Sequence, residues 1–235
     1  MGSGRSPAGG VKKAVEFPQA FVEDKGLTIS KQADKWQDYK ESFGPDVTDE
    51  QEEDLDGYVA TSNSFHINKF LYDPDLGYES LSKQNKKTVD TLDEVISTHK
   101  TPADAKYTRY VDDAGALALL GLSEKQGSTL MKAIDQYQKT QDPALLDQIN
   151  KSLVGSTGHS ESFTSTSATK DHLFSHRQFR REISVPSGTN AFAANNDMEH
   201  EIIFGRKMNT EVTGISFDGK QVVIHERFLS YGDKK

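Results

Sequence analysis

The order of its secondary-structure signals is the feature that most constrains how this 235-residue chain folds. Up to Pro102, apolar residues recur at three- and four-residue steps, as on the amphipathic helix predicted from Ile29 to Phe43. From Ser162 onward, nearly every segment has the alternation or the β-branched content of a strand. A run of helices followed by antiparallel strands predicts an α+β fold.

Capping and turn signals set the predicted element boundaries. Capping boxes at Thr48–Gln51 and Ser123–Gln126 each begin a helix, and Asp142-Pro143 begins another. Gly155 to Gly158 is predicted to be a loop, and Asp218-Gly219 a two-residue hairpin turn. The predicted strands are residues 105–111, 163–167, 183–185, 199–204, 211–217 and 221–228.

Composition excludes several classes of function. The chain has no cysteine, which rules out disulfides, thiol catalysis and cysteine-based metal sites. A net charge of -8 argues against nucleic-acid binding through a broad basic surface, and residues 176–181 are the best candidate for a local basic groove. No apolar run approaches the roughly 18 residues of a membrane span, and no signal peptide is recognisable, so no membrane association is expected.

The domain organisation predicted from the sequence is simple. Residues 1–10 are rich in Gly and Ser, and we interpret residues 1–28 as a cloning scar followed by a flexible linker. No composition change divides the remainder. We therefore predict a single domain over residues 29–235, with a helical half at 29–102 and a mainly β half at 103–230.

Two glutamates in the run 196–204 are candidates for chemistry. In a strand over 199–204, Glu199 and Glu201 would project from the same face, with their stems about 7 Å apart. Two like charges at that spacing call for a cation. A solvated strand face is the alternative interpretation, because this spacing is common in acidic proteins.

Two further segments favour a functional role for these glutamates over a solvated strand face. Arg109 lies on a short predicted strand, and Phe163-Thr164-Ser165-Thr166-Ser167 is a hydroxyl-rich strand that precedes the glutamates. In this order the three segments resemble the Arg, Ser-Thr-Ser and Glu-x-Glu signature of mono-ADP-ribosyltransferases of the cholera-toxin-like class. Within that class, the enzymatic components of clostridial binary toxins are the most similar.

The resemblance extends beyond the three motifs. Phe174-Ser175-His176-Arg177 looks like the phosphate-nicotinamide loop of this family, and residues 65–71, with Asn68, look like the helix that borders its cofactor. The resemblance implies a mono-ADP-ribosyltransferase fold, in which N-terminal helices pack on two antiparallel β-sheets that form an NAD cleft.

The resemblance also implies roles for the catalytic residues. Arg109, with Arg177, would bind the NAD pyrophosphate, for which a planar multi-donor cation is suited. Glu201 would hydrogen-bond the ribose 2′-hydroxyl and stabilise the positive charge that develops as nicotinamide leaves. Ser165 would orient Glu201. Glu199 would orient the acceptor arginine and accept its proton.

The remaining predicted residues would shape the NAD site. Thr166 and Ser167 would brace the pocket, Phe174 would stack on the nicotinamide, and the main chain at Tyr110 would hold its carboxamide. The full set predicted to bind NAD is Asn68, Arg109, Tyr110, Ser165, Thr166, Ser167, Phe174, Arg177 and Glu201. No metal is expected: His172 and His176 are four residues apart, but no glutamate follows in a zinc-protease pattern.

The resemblance therefore predicts an NAD-dependent transferase that modifies an arginine of a target protein. Glu at position 199 goes with an arginine acceptor in this class, and the acidic charge disfavours a nucleic-acid acceptor. Relatives often carry an aromatic residue in the turn before Glu-x-Glu, whereas residues 193–198 have none here, so their target is not inherited. The alternatives are an NAD glycohydrolase and a catalytically silent binding module.

The class also implies a biological setting. Its members are mostly bacterial toxins, effectors and phage enzymes, so we expect a monomer that is secreted or injected and acts in the cytoplasm of a target cell. We also expect the chain to be cut from a longer protein. An antitoxin or activator is left open as a further partner.

Overall fold

A computed structural model describes residues 17–59, 62–170 and 174–232, and it has the predicted α+β fold. The helices are α1 Ile29–Glu41, α2 Asp49–Val59, α3 Ser62–Tyr72, α4 Lys83–Thr98, α5 Asp113–Leu119, α6 Glu124–Thr140 and α7 Pro143–Leu153. The strands are β1 Ala105–Val111, β2 Thr157–Ser160, β3 Thr164–Ser167, β4 Phe179–Val185, β5 Ala191–Ala193, β6 Glu201–Phe204, β7 Met208–Phe217 and β8 Val222–Tyr231.

These strands form one sheet, in the order β2-β7-β8-β4-β1-β3-β6-β5. The prediction of two antiparallel sheets is wrong in this respect. The strands β2-β7-β8-β4-β1 and the strands β3-β6-β5 are joined where β1 pairs with β3 at Thr108 and Ser167. The sheet is also not wholly antiparallel, since β4 runs parallel to β8. Sequence pattern identifies strands but not their neighbours, because pairing depends on contacts between distant segments.

Helices cover the sheet and bury it in three apolar cores. α1 packs over the first core, α2 to α4 over the second, and α5 to α7 over the third. On β6, Ile202 and Phe204 enter the first core whereas Ile203 enters the second. β6 is therefore buried on both faces, which explains its continuous apolar sequence.

The predicted helix starts are confirmed. Ser123 and Gln126 form a reciprocal capping box at α6, and the Asp142 side chain caps α7 with proline at its first turn. Thr48 Oγ1 accepts the amide of Gln51 (3.3 Å), whose side chain accepts the amide of Thr48 (3.0 Å). Each pair satisfies amides that have no partner within the helix.

Other local predictions need correction. The hairpin connection between Phe217 and Val222 is residues 218–221, and Asp218 N–H donates to the carbonyl of Gln221 (3.2 Å). This bond encloses Gly219 and Lys220, one residue further along than the predicted Asp218-Gly219 turn. The predicted loop at 155–158 is shorter in the structure, because β2 already begins at Thr157. Helix α5 and strand β5 were not predicted, since each is short and is held by its neighbours.

The segment before α1 is also more ordered than a linker. Phe21 is buried against Trp36, and its N–H donates to the carbonyl of Ala168 (2.9 Å). The Gln19 side chain donates to the carbonyls of Lys106 and Ala168. The packed part of the domain therefore begins before residue 29; residues 1–16 of the predicted scar and linker lie outside the described residues.

In the part of the chain that the structure describes, no helix combines the length and apolar character needed to cross a bilayer.

Candidate active site

Strand β3 brings the predicted catalytic residues together. It lies between β1 and β6, with Thr108 opposite Ser167 and Ser167 opposite Glu201. The guanidinium of Arg109 donates from Nη1 to the carbonyl of Ser165 (2.9 Å). Segments that are far apart in sequence therefore meet at one point of the sheet.

Glu201 is buried and is held by two donors. Its Oε1 accepts a hydrogen bond from the hydroxyl of Ser165, and its Oε2 accepts one from Nδ2 of Asn196 (3.1 Å). The two donors orient the carboxylate and leave further lone pairs for a ligand. Thr166 braces the same strand pair by donating to the carbonyl of Ile202 (2.9 Å).

Glu199 is not on the strand, contrary to the prediction. β6 begins at Glu201, and residues 196–200, here called the Glu199 turn, precede it. The amide of Glu199 donates to the carbonyl of Asn196 (3.1 Å), and His200 has a left-handed backbone (φ 45°). One left-handed residue interrupts the alternation of a strand, so the two glutamates do not share a strand face.

The environment of Glu199 alters its acidity. Burial raises the pKa of Glu199, and the negative charge of Glu201 raises it further, while Arg177 acts in the opposite direction. Among the described residues, no donor hydrogen-bonds its side chain. Glu199 is thus a half-buried carboxylate that holds a proton more readily than usual.

A cavity of about 160 Å³ opens beside Glu199, and Glu201 is not among the residues that line it. It is lined by Thr108, Arg109, Tyr110, Ser165, Thr166, Ser167, Phe174, Arg177 and Glu199. All but one of these lining residues are among the predicted site residues. Ser167 is fixed within the wall, where it accepts the amide of Thr169 (3.1 Å).

Two arginines give the cavity its positive charge. Arg177 lies over the ring of Phe174 (4.6 Å) and donates from Nη1 to the carbonyl of Tyr110 (2.9 Å). Burial lowers the pKa of Arg109, although an arginine remains protonated at neutral pH. Within the described residues, neither Arg109 nor Arg177 has a carboxylate at ion-pair distance, so both charges are free to attract an anion.

Asn68 is not among the residues that line the cavity. Its Nδ2 donates to the hydroxyl of Tyr58 (2.9 Å), whereas its Oδ1 is buried and has no hydrogen-bond partner among the described residues. Burial raises the pKa of Tyr58, with a smaller contribution from the charge of Glu201. Burial alone would raise the pKa of Tyr72, but Arg109 and hydrogen bonds to serine side chains lower it overall.

Two of the three arginines in the candidate basic groove at residues 176–181 are buried in ion pairs and do not form a groove. Arg180 is buried and donates to Glu182 and Gln221, and Arg181 makes two bonds to the buried carboxylate of Glu226 (both 2.6 Å). These arginines neutralise internal carboxylates. Arg177 is left as the arginine of this segment that faces the cavity.

Metal ligation finds no support in the described residues, where no three His, Asp or Glu side chains come together at a site. His172, one of the two histidines considered and rejected as metal ligands above, lies outside the described residues.

The family model of the ADP-ribosyltransferase exoenzymes matches residues 31–230. The chain belongs to this family. Its match covers α1 to β8, which include every element of the cavity. No curated protein sequence matches this member of the family significantly.

Solved structures share the fold of this family member. C3stau2 from S. aureus with NAD is 19% identical, with a TM-score of 0.67 over 88% of this chain and 99% of that one. The Clostridium limosum C3 exoenzyme is 18% identical, with a TM-score of 0.65 and coverages of 92% and 98%. BECa of a C. perfringens binary enterotoxin, solved with NADH, is 18% identical (TM-score 0.63), with coverages of 86% and 49%.

Sequence reasoning missed several residues that complete the site. Asn196 donates a hydrogen bond to Glu201. Tyr58 and Tyr72 lie close enough to Arg109 to influence the pKa of its guanidinium. Asn196 lies close to the glutamates in sequence and could have been examined as a donor. The tyrosines lie on helices about 40 to 50 residues before Arg109, and no local signal connects them to it.

Proposed function

We propose that this chain transfers ADP-ribose from NAD to an arginine side chain of a target protein. The observation that carries the proposal is the contrast between two neighbouring carboxylates, of which Glu199 lines the cavity and Glu201 is held by Ser165, a residue of its wall. Glu201 is fixed by two donors, whereas Glu199 lies on a turn, has no side-chain hydrogen bond from the described residues and has a raised pKa. Fixed and adjustable carboxylates suit electrostatic stabilisation and proton transfer, respectively.

NAD fits the charges of this site. Its pyrophosphate is an anion that Arg109 and Arg177 can bind, since neither is neutralised by a carboxylate among the described residues. The cavity of about 160 Å³ is smaller than the roughly 300 to 1,000 Å³ of pockets that enclose whole ligands, so it suits one end of NAD. Solved structures of this fold with NAD and NADH support the same substrate.

The chemistry follows from the positions of the carboxylates. The bond between ribose C1′ and the nicotinamide nitrogen breaks, and its electron pair leaves with nicotinamide. Positive charge develops on the ribose, and the fixed carboxylate of Glu201 stabilises it. Ser165 and Asn196 keep that carboxylate in place, so little reorganisation is needed during the reaction.

An arginine acceptor needs a second carboxylate. The guanidinium is protonated at neutral pH and becomes a nucleophile as it loses a proton. A nitrogen of the acceptor forms the new bond to C1′ and Glu199 accepts the proton. Water depends less on a general base to react, because the ribosyl cation is reactive enough to be captured by solvent. Glu199 is therefore required for transfer and dispensable for hydrolysis.

Replacing Glu199 by glutamine is expected to abolish arginine labelling and to preserve nicotinamide release. Glutamine keeps the size of the side chain but cannot accept the proton. The measurement is mass spectrometry of a target-cell lysate incubated with labelled NAD, with nicotinamide quantified in parallel. Glu201→Ala is the control that should lose both signals.

The same experiment separates the alternatives. If the parent releases nicotinamide and labels no macromolecule, it is an NAD glycohydrolase. If the parent turns over no NAD, the result would favour a catalytically silent binding module. Arginine-linked label on a host protein would identify the target and support the role of a bacterial toxin or effector, a role that the name of the structural neighbour BECa, an ADP-ribosylating toxin, suggests.

The transfer rate should depend on pH through Glu199. Burial and Glu201 raise the pKa of Glu199, so on acidification it becomes protonated before an ordinary glutamate does. Because only the carboxylate accepts a proton, transfer should fall on the acid side sooner than nicotinamide release. Rates of both reactions across pH 4 to 8 test this, and parallel profiles would contradict it.

A further inference from the structure

The position of Glu199 depends on its backbone. In the described part of the chain nothing hydrogen-bonds its carboxylate, and the amide bond to Asn196 only closes the turn (3.1 Å). A displacement of the Glu199 turn would therefore move this carboxylate directly. The contacts that hold the Glu199 turn therefore determine the position of the Glu199 carboxylate, the proposed proton acceptor.

The neighbouring residue His200 is held in an aromatic pocket. Its ring stacks on Phe21 (5.3 Å between centroids) and meets the edge of Trp36 (4.6 Å). Its carbonyl accepts the amide of Ala168 at the end of β3 (2.8 Å). Burial lowers the pKa of His200, so the ring is mainly uncharged at neutral pH and packs as an aromatic group.

The other end of the turn is attached to the same helix. Trp36 Nε1 donates to Oδ1 of Asp197 (2.8 Å), and Nζ of Lys40 lies 3.1 Å from the same oxygen. Trp36 thus contacts residues on both sides of Glu199 and Met198. Helix α1 and the segment before it form a support for the Glu199 turn.

Glu201 is held mainly by β3. It pairs with Ser167 in the β3–β6 ladder, and its carboxylate accepts the hydroxyl of Ser165; its second donor, Asn196, is the first residue of the Glu199 turn. Its amide approaches the carbonyl of Asn196 (3.4 Å), which keeps that residue beside the strand. Removing the His200 ring should therefore disturb Glu199 and largely spare Glu201.

We infer that His200 is a positioning residue that sets Glu199 for transfer by anchoring the turn between Phe21 and Trp36. The inference rests on the proposed function, because it concerns the half-reaction in which an arginine accepts ADP-ribose. It assigns a functional role to the N-terminal segment, which supplies the aromatic pocket, and it separates that role from NAD cleavage.

Three variants of His200 test the inference. His200→Ala removes the ring, His200→Gly removes it and also relieves the left-handed backbone, and His200→Phe keeps an uncharged ring. The readouts are nicotinamide release and ADP-ribosylation of agmatine, a small guanidine that needs no protein docking. We expect Ala and Gly to lose roughly 10²-fold in transfer, the scale of a 1 Å misplacement, with nicotinamide release near that of the parent.

The phenylalanine variant should retain both activities. Trp36 is the only tryptophan of the chain, so its fluorescence reports the contact with His200 independently of activity. We expect a changed emission in the Ala and Gly variants, with cooperative unfolding retained in all three.

Several results would overturn the inference. Equal losses of transfer and nicotinamide release in His200→Ala would indicate a merely structural role, and parental transfer would indicate none. Parental transfer in His200→Gly alone would mean that the residue matters only for its backbone. Selective loss in His200→Phe would implicate the imidazole itself. A parent that modifies neither agmatine nor protein would refute the proposed function first, and the inference with it.

Discussion

Replacing Glu201 by glutamine is expected to slow nicotinamide release by roughly 10²- to 10³-fold, the cost of losing one preorganised stabilising group. Glutamine is close to glutamate in shape but carries no negative charge to stabilise the developing ribosyl cation. Ser165 and Asn196 can still bond to its amide, so the side chain should stay near its present position. Steady-state nicotinamide release at saturating NAD measures the effect on kcat.

The control for this prediction is Glu199→Gln, which removes a neighbouring carboxylate and should leave nicotinamide release nearly unchanged. Asn196→Ala should cause an intermediate loss, because one of the two donors to Glu201 remains. Nicotinamide release at the parental rate by Glu201→Gln would disprove the proposed role of this carboxylate. Equal losses of nicotinamide release in Glu199→Gln and Glu201→Gln would show that the total negative charge at the site matters rather than the position of each carboxylate.

Replacing Glu226 by glutamine is expected to destabilise the fold by about 3 to 5 kcal/mol, since it leaves a buried guanidinium without its counter-ion. Arg181 and Glu226 are 3% and 4% exposed and are joined by two bonds of 2.6 Å. Thr210 donates to the same carboxylate (2.6 Å). Urea unfolding of the parent and the variant at pH 7 measures the free energy of unfolding.

A matched control lies one residue further along β8. Arg227 pairs with Glu211 of β7, whereas Glu226 pairs with Arg181 of β4. The side chains of Arg227 and Glu211 are 58% and 26% exposed, so Glu211→Gln should cost less than about 1 kcal/mol. The double variant Arg181→Met, Glu226→Leu should recover part of the loss, because no unpaired charge remains. Similar costs for Glu226→Gln and Glu211→Gln would contradict the prediction.

The candidate site was only partly predictable from the sequence. Arg109, Ser165 and Glu201 were predicted from motif order, and the structure brings them to one point; their chemical roles remain proposals. The Glu199 turn was predicted to be a strand, because a two-residue spacing of glutamates suits either conformation. Its turn depends on contacts with Trp36, which lies 161 residues before Asp197.

The sequence by itself determined the features that depend on neighbouring residues. The capping boxes, the proline at the start of α7 and the apolar run of β6 specify local geometry within a few positions. The tertiary structure decided the order of strands, the single sheet joined at Thr108 and Ser167, and the packing of His200 against Trp36. These arrangements follow from burying apolar surface and pairing polar groups across the whole chain, which no local pattern encodes.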